Sequence, residues 1–450
     1  MIKRKIDSWL EHFFTNNKKA LLITGARQIG KTFSIRRFGR EHFKQFVEIN
    51  FIENPNLIKI FSKATDRQDL LLRLSTVTKQ KLIPRDTLIF FDEVQECPDI
   101  ITAIKFLVEE GSYRYVMSGS LLGVEIKDLR SAPVGYMTVK EMFPIDFEEF
   151  ASAIGINREI IDKLEEHFNT VSVVDEFIHT KMMEIFRLYL IVGGMPSVVE
   201  KYLETNNLQE VMTEQQSIVR LYKQDITKYD LNHKLYIEEI FDRIPAELDA
   251  KNKRFILKNL NENLKFSRYE NSFLWLKAAG VALPVYNVNA PKAPLVLSSS
   301  RNLFKLFMAD IGLLASIYAD GIQLKILDNE PSINFGAIYE NVVAQELNAH
   351  GFQLYYYNNK RQGELDFVIE QNGNVLPLEV KSGKDYERHK ALNNVMNSTT
   401  YNLPKAYVLC NDNVRQTGKV AYLPIYMTMF IKKEQQLPTN YKIDLTGLKP

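Results

Sequence analysis

The apolar run Ala20–Thr24, ALLIT, passes directly into GARQIGKT at residues 25–32, and no other stretch constrains this chain as tightly. The run has the length of a buried strand, and a strand that ends on glycine and opens a helix is a phosphate-binding arrangement. Gly25 and Gly30 let the backbone wrap closely around phosphates and aim successive N–H groups at them. The following helix adds its positive N-terminal end, Lys31 reaches the terminal phosphates, and the Thr32 hydroxyl is placed for magnesium. The expected nucleotide-binding set is Gly25, Ala26, Arg27, Gln28, Ile29, Gly30, Lys31, Thr32 and Phe33.

Binding alone does not cleave a phosphoanhydride; a metal ligand and a group that orients water are also required. LIFFDE at 88–93 offers both at the end of an apolar strand, with Asp92 for magnesium and Glu93 for the water. The next apolar segment, YRYVMSGS at 113–120, ends in Ser118 and Ser120. Either serine can sense the terminal phosphate between the two acids, and either can equally cap a following helix. With FVEINF at 46–51 and YMTVKEM at 136–142, these segments alternate with helical patterns. That alternation predicts an α/β unit over residues 1–150, a parallel sheet with helices on both faces.

At 450 residues the chain exceeds what one core usually supports, so two or three domains are expected. Hydrophobic residues at 45% and charged ones at 25% suit ordered globular domains. The balance of 57 basic against 55 acidic residues provides no whole-molecule field toward nucleic acid or membrane. Cys97 and Cys410 fall in no metal or disulfide spacing. The first residues lack the apolar core of a secretion signal, and the longest apolar stretches, such as LYLIVGGM at 188–195, fall short of a membrane span. A cytoplasmic setting without membrane contact is expected.

Residues 151–232 read as a helical lid or linker. Over 233–330, the helical segments RFILKNL and RYENSFLWLKAAG precede a hairpin pattern, VALPVYNV and APLVLSS, an order that suggests a winged-helix unit. Residues 331–450 predict a second, smaller α/β domain.

GARQIGKT, FFDEVQECPDIITAIKFL, YVMSGS and FPIDFEEF, together with YLIVGGMP at 189–196, YKQDITKY at 222–229 and FKLFMADIGLL at 304–314, resemble the AAA-type P-loop ATPases of bacteria and archaea that share a long C-terminal half. The resemblance covers nearly the whole chain and implies an AAA+ core in which Lys31, Thr32, Asp92 and Glu93 take their usual roles. Many relatives carry a Gly-Arg pair shortly before the segment corresponding to FPIDFEEF, where this chain has Tyr136. Arg114 and Arg130 are the candidate substitutes for that arginine, although an arginine on a charged surface is more often simply solvated. Whether a second copy completes the ATP site stays open at this point.

In the end domain, Glu340, Asp366, Glu379 and Lys381 match in type and order the PD-(D/E)xK nuclease pattern. Such a site uses Asp366 and Glu379 for magnesium and Lys381 for the attacking water or the phosphate, with Glu340 on the preceding helix. Alternation along VLPLEVKS sets Glu379 and Lys381 on one strand face. Strand-edge charges that deter aggregation look the same in sequence.

The expected activity is magnesium-dependent ATP hydrolysis driving a switch or motor that engages DNA through Lys251, Lys253, Arg254, Lys258, Lys265, Arg268 and Lys277. The alternatives are a nucleotide-gated protein-interaction module with an inactive nuclease fold and an ATP-regulated DNA nuclease.

Overall fold

The computed structural model describes residues 2–62, 67–78, 81–119, 135–229, 234–250, 253–256, 266–318, 321–328, 330, 335–433 and 443. Ser120, Arg130, Lys251, Lys258 and Lys265 lie outside the described residues, as does the side chain of Arg268.

Strands β1 (Ala20–Thr24), β2 (Gln45–Asn50), β3 (Thr87–Asp92), β4 (Arg114–Ser118) and β5 (Met137–Glu141) form one sheet in the order β2-β3-β4-β1-β5. Every pairing within it is parallel. Period-two alternation divides the side chains between two cores. Leu21, Ile23, Phe90 and Val116 enter one, while Leu22, Ile89, Phe91, Tyr115 and Met117 enter the other. Both faces are therefore covered, as the apolar runs require. The opening helix spans Lys5–Asn16 and buries Ile6, Leu10, Phe13 and Phe14, the stripe its spacing dictates.

A helix at Phe147–Ala153, capped by Asp146, closes the first unit, and the helices Arg158–Thr170, Glu176–Val192, Pro196–Thr205 and Leu208–Tyr229 follow. Beyond them the structure departs from the expected winged helix. β6 (Ala282–Val288) and β7 (Ser299–Met308) pair antiparallel, but β6 also pairs parallel with β8 (Tyr355–Asn359). The hairpin is thus part of an eight-stranded sheet with β9 (Gly363–Gln371), β10 (Asn374–Val380), β11 (Ala406–Cys410), β12 (Arg415–Thr417) and β13 (Val420–Pro424), in the order β12-β13-β11-β10-β9-β8-β6-β7. The expected boundary at 330 falls inside this sheet. The second hairpin strand starts later than expected because Pro291 and Pro294 lack N–H donors, and ladder pairing on that strand begins only at Ser299. Arg254–Ile256 is not helical; the Phe255 N–H donates to the Phe304 carbonyl on β7.

Segments far apart in sequence meet where the two sheets adjoin. The Ile145 N–H donates to the Gly194 carbonyl at 2.7 Å, and the Gly194 N–H donates to Asp310 at 2.6 Å. The Tyr189 hydroxyl donates to the Ile145 carbonyl at 2.7 Å and accepts from Gln345. Gln345 lies on the helix Phe335–Ala349, whose Glu346 accepts from the Phe147 N–H at 2.9 Å. FPIDFEEF, GGMP and FMADIG therefore share one buried junction with the end domain.

Burial, followed by the nearby Asp146 carboxylate, pushes the Glu346 carboxyl up to about 8, while burial drives His350 down to about 4. Between roughly pH 4.5 and 8 the native Glu346 keeps a proton that the unfolded chain has lost, so its contribution falls as pH rises. His350 acts oppositely, but only below its ordinary value of 6.5. Above that only the glutamate of these two acts. The urea midpoint should drop between pH 6.5 and 8 by the equivalent of about 2 kcal/mol, and Glu346→Gln should largely remove that drop. An equal drop in both proteins would assign the effect to another group.

Candidate functional site: a nucleotide cleft

The loop after β1 takes backbone values that only certain residues tolerate. Gly25 sits at φ +134°, and a Cβ there would lie 2.2 Å from the Met142 carbonyl oxygen; Gly30 sits at φ +88°. Both glycines are required by the turn. The helix beginning at Lys31 points its N-terminus into a cleft of about 620 Å³. Arg27, Gln28, Gly30, Lys31, Thr32 and Phe33 line this cleft, opposite Pro196, Glu200, Tyr222 and Asp225 from the helical region. Ala26 and Ile29 are buried and anchor the loop to the core.

The Lys31 Nζ donates to the carbonyls of Gly25 and Ala26 at 3.0 and 2.6 Å, folded along its own loop. Burial pushes it down to about 8, against the attraction of Glu93 and Asp92. Asp92 ends β3 opposite the loop, and the Thr32 hydroxyl lies 3.3 Å from each of its carboxylate oxygens. Ser118, at the end of β4, donates to the same carboxylate, and the Asn50 amide donates to it at 3.0 Å. Burial raises the Asp92 carboxyl, while the Ser118 and Thr32 hydrogen bonds act the other way.

Glu93 lines the cleft with φ +56°, a left-handed conformation that β-branched residues resist and that marks a position held by its surroundings. Gln95 donates to its carboxylate. The Thr32 hydroxyl and the Asp92 carboxylate are hard oxygen donors 3.3 Å apart, of the kind magnesium takes.

The sheet order brings these groups together. β1 and β3 flank β4, so the loop, Asp92 and Ser118 emerge side by side at the carboxyl edge. Asn50 was not among the expected site residues; the one signal for it is its place at the end of the strand paired in register with β3, where Asn50 stands beside Asp92. Arg114 starts β4 and donates to the Asn17 carbonyl, and Tyr136 precedes β5 and donates to Glu109. Both lie at the opposite sheet edge from the phosphate loop of their own chain.

A family model described as an AAA domain matches residues 17–151. This unit is an AAA domain. Two further models, each described as a domain of unknown function (DUF8612 and DUF4143), match residues 183–325 and 335–427. Among solved structures, a Walker-type ATPase of Pyrococcus abyssi is 14% identical over 71% of this chain and 96% of its own, with a TM-score of 0.44. The RuvB Holliday junction branch migration motor of Thermotoga maritima is 14% identical over 63% of this chain and 89% of its own, with a TM-score of 0.28. No curated protein matches the chain.

The AAA domain does not hold its loop unaided. Arg27 forms a 2.5 Å ion pair with Asp225, and the Tyr222 hydroxyl donates to the Arg27 carbonyl at 3.1 Å, both from the helix Leu208–Tyr229. Arg4 donates to the Ile29 carbonyl at 3.2 Å and pairs with Glu149, tying the loop to the FPIDFEEF segment.

In the end domain, Glu340, Asp366, Glu379 and Lys381 also converge, each acting electrostatically on others of the set. Lys381 pairs with Glu379 at 2.7 Å, and Asp366 accepts from the Val380 N–H at 2.8 Å. Sequence reasoning missed Lys305, which sits among these acids. Two of the basic residues expected to meet DNA are engaged here as well, Lys253 with Glu340 and Arg254 with Glu364. Among the described residues, no three His, Cys, Asp or Glu are set to hold a metal ion. No described helix is long and apolar enough to cross a membrane, and Cys97 and Cys410 are both free and buried.

Proposed function

We propose that the chain binds ATP with magnesium at this cleft and hydrolyses it, and that the helical region responds to the state of the phosphate loop. The observation that carries the reading is the convergence of Lys31, Thr32, Asp92 and Glu93 on one cleft. Thr32 and Asp92 would hold the magnesium, which supplies charge neutralisation at the β- and γ-phosphates.

Glu93 orients the attacking water and accepts its proton, while Lys31 and the loop N–H groups stabilise charge on the γ-phosphoryl oxygens. Water's oxygen bonds to the γ-phosphorus as the bridge to ADP breaks, giving ADP and phosphate. Ser118 braces Asp92 from behind, which supports a positioning part for this serine beside any sensing of phosphate.

Arg27 belongs to the loop and Asp225 to the helical wall, so filling the loop alters one of the contacts between the two parts. This supports a nucleotide-gated switch over a site that works without the rest of the chain. Engagement of Lys253 and Arg254 inside the end domain favours the interaction-module reading over DNA contact through those two residues.

Glu93→Gln tests the chemistry. It should keep ATP affinity within about threefold while lowering kcat roughly 100-fold, because only the proton acceptor is lost. Unaltered hydrolysis would remove Glu93 from the mechanism.

A further inference from the structure

Lys305 lies on β7 with 1% of its side chain exposed. Its Nζ is 3.2 Å from Glu340, 2.9 Å from Glu364 and 3.9 Å from Asp366. A buried ammonium is tolerated only where carboxylates and hydrogen bonds replace its water, and three acids do so here. Lys253 reaches the second oxygen of Glu340 from the same side of the chain. Both lysines precede the end domain in sequence, whereas Glu340, Glu364, Asp366 and Glu379 belong to it. The cation is thus delivered to the acids by a neighbouring segment.

The nuclease-like pattern implies magnesium between Asp366 and Glu379, and the residues present do not fit that ion. An ammonium fixed among Glu340, Glu364 and Asp366 already supplies the positive charge and fills hydrogen-bonding directions a divalent ion would need. We propose that Lys305 is the built-in cation of this cluster, so that Glu340, Glu364 and Asp366 fasten the β6–β7 hairpin to the end domain and the cluster takes up no divalent metal. The inference rests on the nuclease-like reading of these acids and is independent of the ATP cleft.

Removing the Lys305 ammonium leaves Lys253 beside Glu340 and Lys381 beside Glu379, and takes from Asp366 and Glu364 the cation between them. Glu340, Asp366 and Glu379 would then face one another, and the Glu379 Oε2 has no hydrogen-bond partner to satisfy it. Manganese is the probe, added without nucleotide to the full chain and followed by electron paramagnetic resonance and thermal unfolding. The wild type should show no manganese binding that depends on Asp366, judged against Asp366→Asn. Lys305→Met should gain one such site, with a Tm rise on the order of 5 °C at about 100 times Kd, and the rise should vanish in Lys305→Met/Asp366→Asn.

Asp366-dependent manganese binding by the wild type overturns the proposal, as does a folded Lys305→Met protein that gains none. If Lys305→Met does not fold, the wild-type comparison with Asp366→Asn decides by itself: binding there refutes the built-in cation and its absence upholds it. Loss of ATP turnover in Lys31→Ala would leave all of these outcomes unchanged, which separates this proposal from the ATP reading.

Discussion

Lys31→Ala is expected to lower ATP affinity on the order of 1000-fold and to bring turnover to background. Among the described residues the side chain's hydrogen bonds go to the carbonyls of Gly25 and Ala26, so they stabilise its own loop and not the core. Nucleotide phosphates offer the ammonium far better acceptors, and charge-assisted hydrogen bonds of this kind contribute roughly 1.5–3 kcal/mol each. Losing two of them gives the stated fold-change. Alanine leaves the two carbonyls facing the cleft, where water replaces the donor, so thermal stability should change little. Binding measured with a fluorescent ATP analogue, beside a melting curve, separates the effects. Unchanged affinity would sink the phosphate-loop assignment, and a collapse in Tm would leave the loss of binding explained by misfolding.

The second large effect lies at the junction beside the cleft, whose wall includes Ile145 and Pro196. Gly194→Ala would set a methyl 2.1 Å from the Ile145 carbonyl oxygen and 2.9 Å from its nitrogen. Both atoms belong to backbone that cannot rotate aside. The segments must separate, which breaks the Ile145–Gly194 hydrogen bond and draws the Gly194 N–H away from Asp310. Overpacking costs typically 1–3 kcal/mol, and each buried group left without a partner adds about 1–3, so a loss of roughly 4 kcal/mol is expected. Because the AAA domain contributes Ile145 and the end-domain helix contributes Gln345 and Glu346, the loss should appear as loosened docking between them. Hydrogen exchange is the measurement: the Phe147 N–H, bonded to Glu346, should exchange faster, while amides within β1 and β3 stay protected. Uniform loss of protection across the chain would instead indicate global unfolding.

What could be read from sequence was local. The run into GARQIGKT carries strand, turn and helix within a few residues, and LIFFDE carries strand and acids together, so their chemistry needed no knowledge of the remainder. The alternation of apolar runs with helical segments likewise foretold a parallel sheet covered on both faces. Contacts set by register or distance were not readable in this way. Asn50 meets Asp92 because two parallel strands align, and Asp225 meets Arg27 across 198 positions. Lys305 reads as one charge in FKLFMADIG until β7 is laid beside β6 and the helix bearing Glu340. The hairpin misled for a related reason: a wing and a sheet-edge hairpin have the same local pattern, and only the β6–β8 pairing distinguishes them.

That pairing bears on how the chain can be cut and how its parts can be inherited. The segments 183–325 and 335–427 share main-chain hydrogen bonds between β6 and β8, so a break between them would bare one strand edge on each fragment. Neither fragment expressed alone should stay dispersed. Gene rearrangements that carry one to a new host protein would have to carry the other with it, making the two a single cassette in descent.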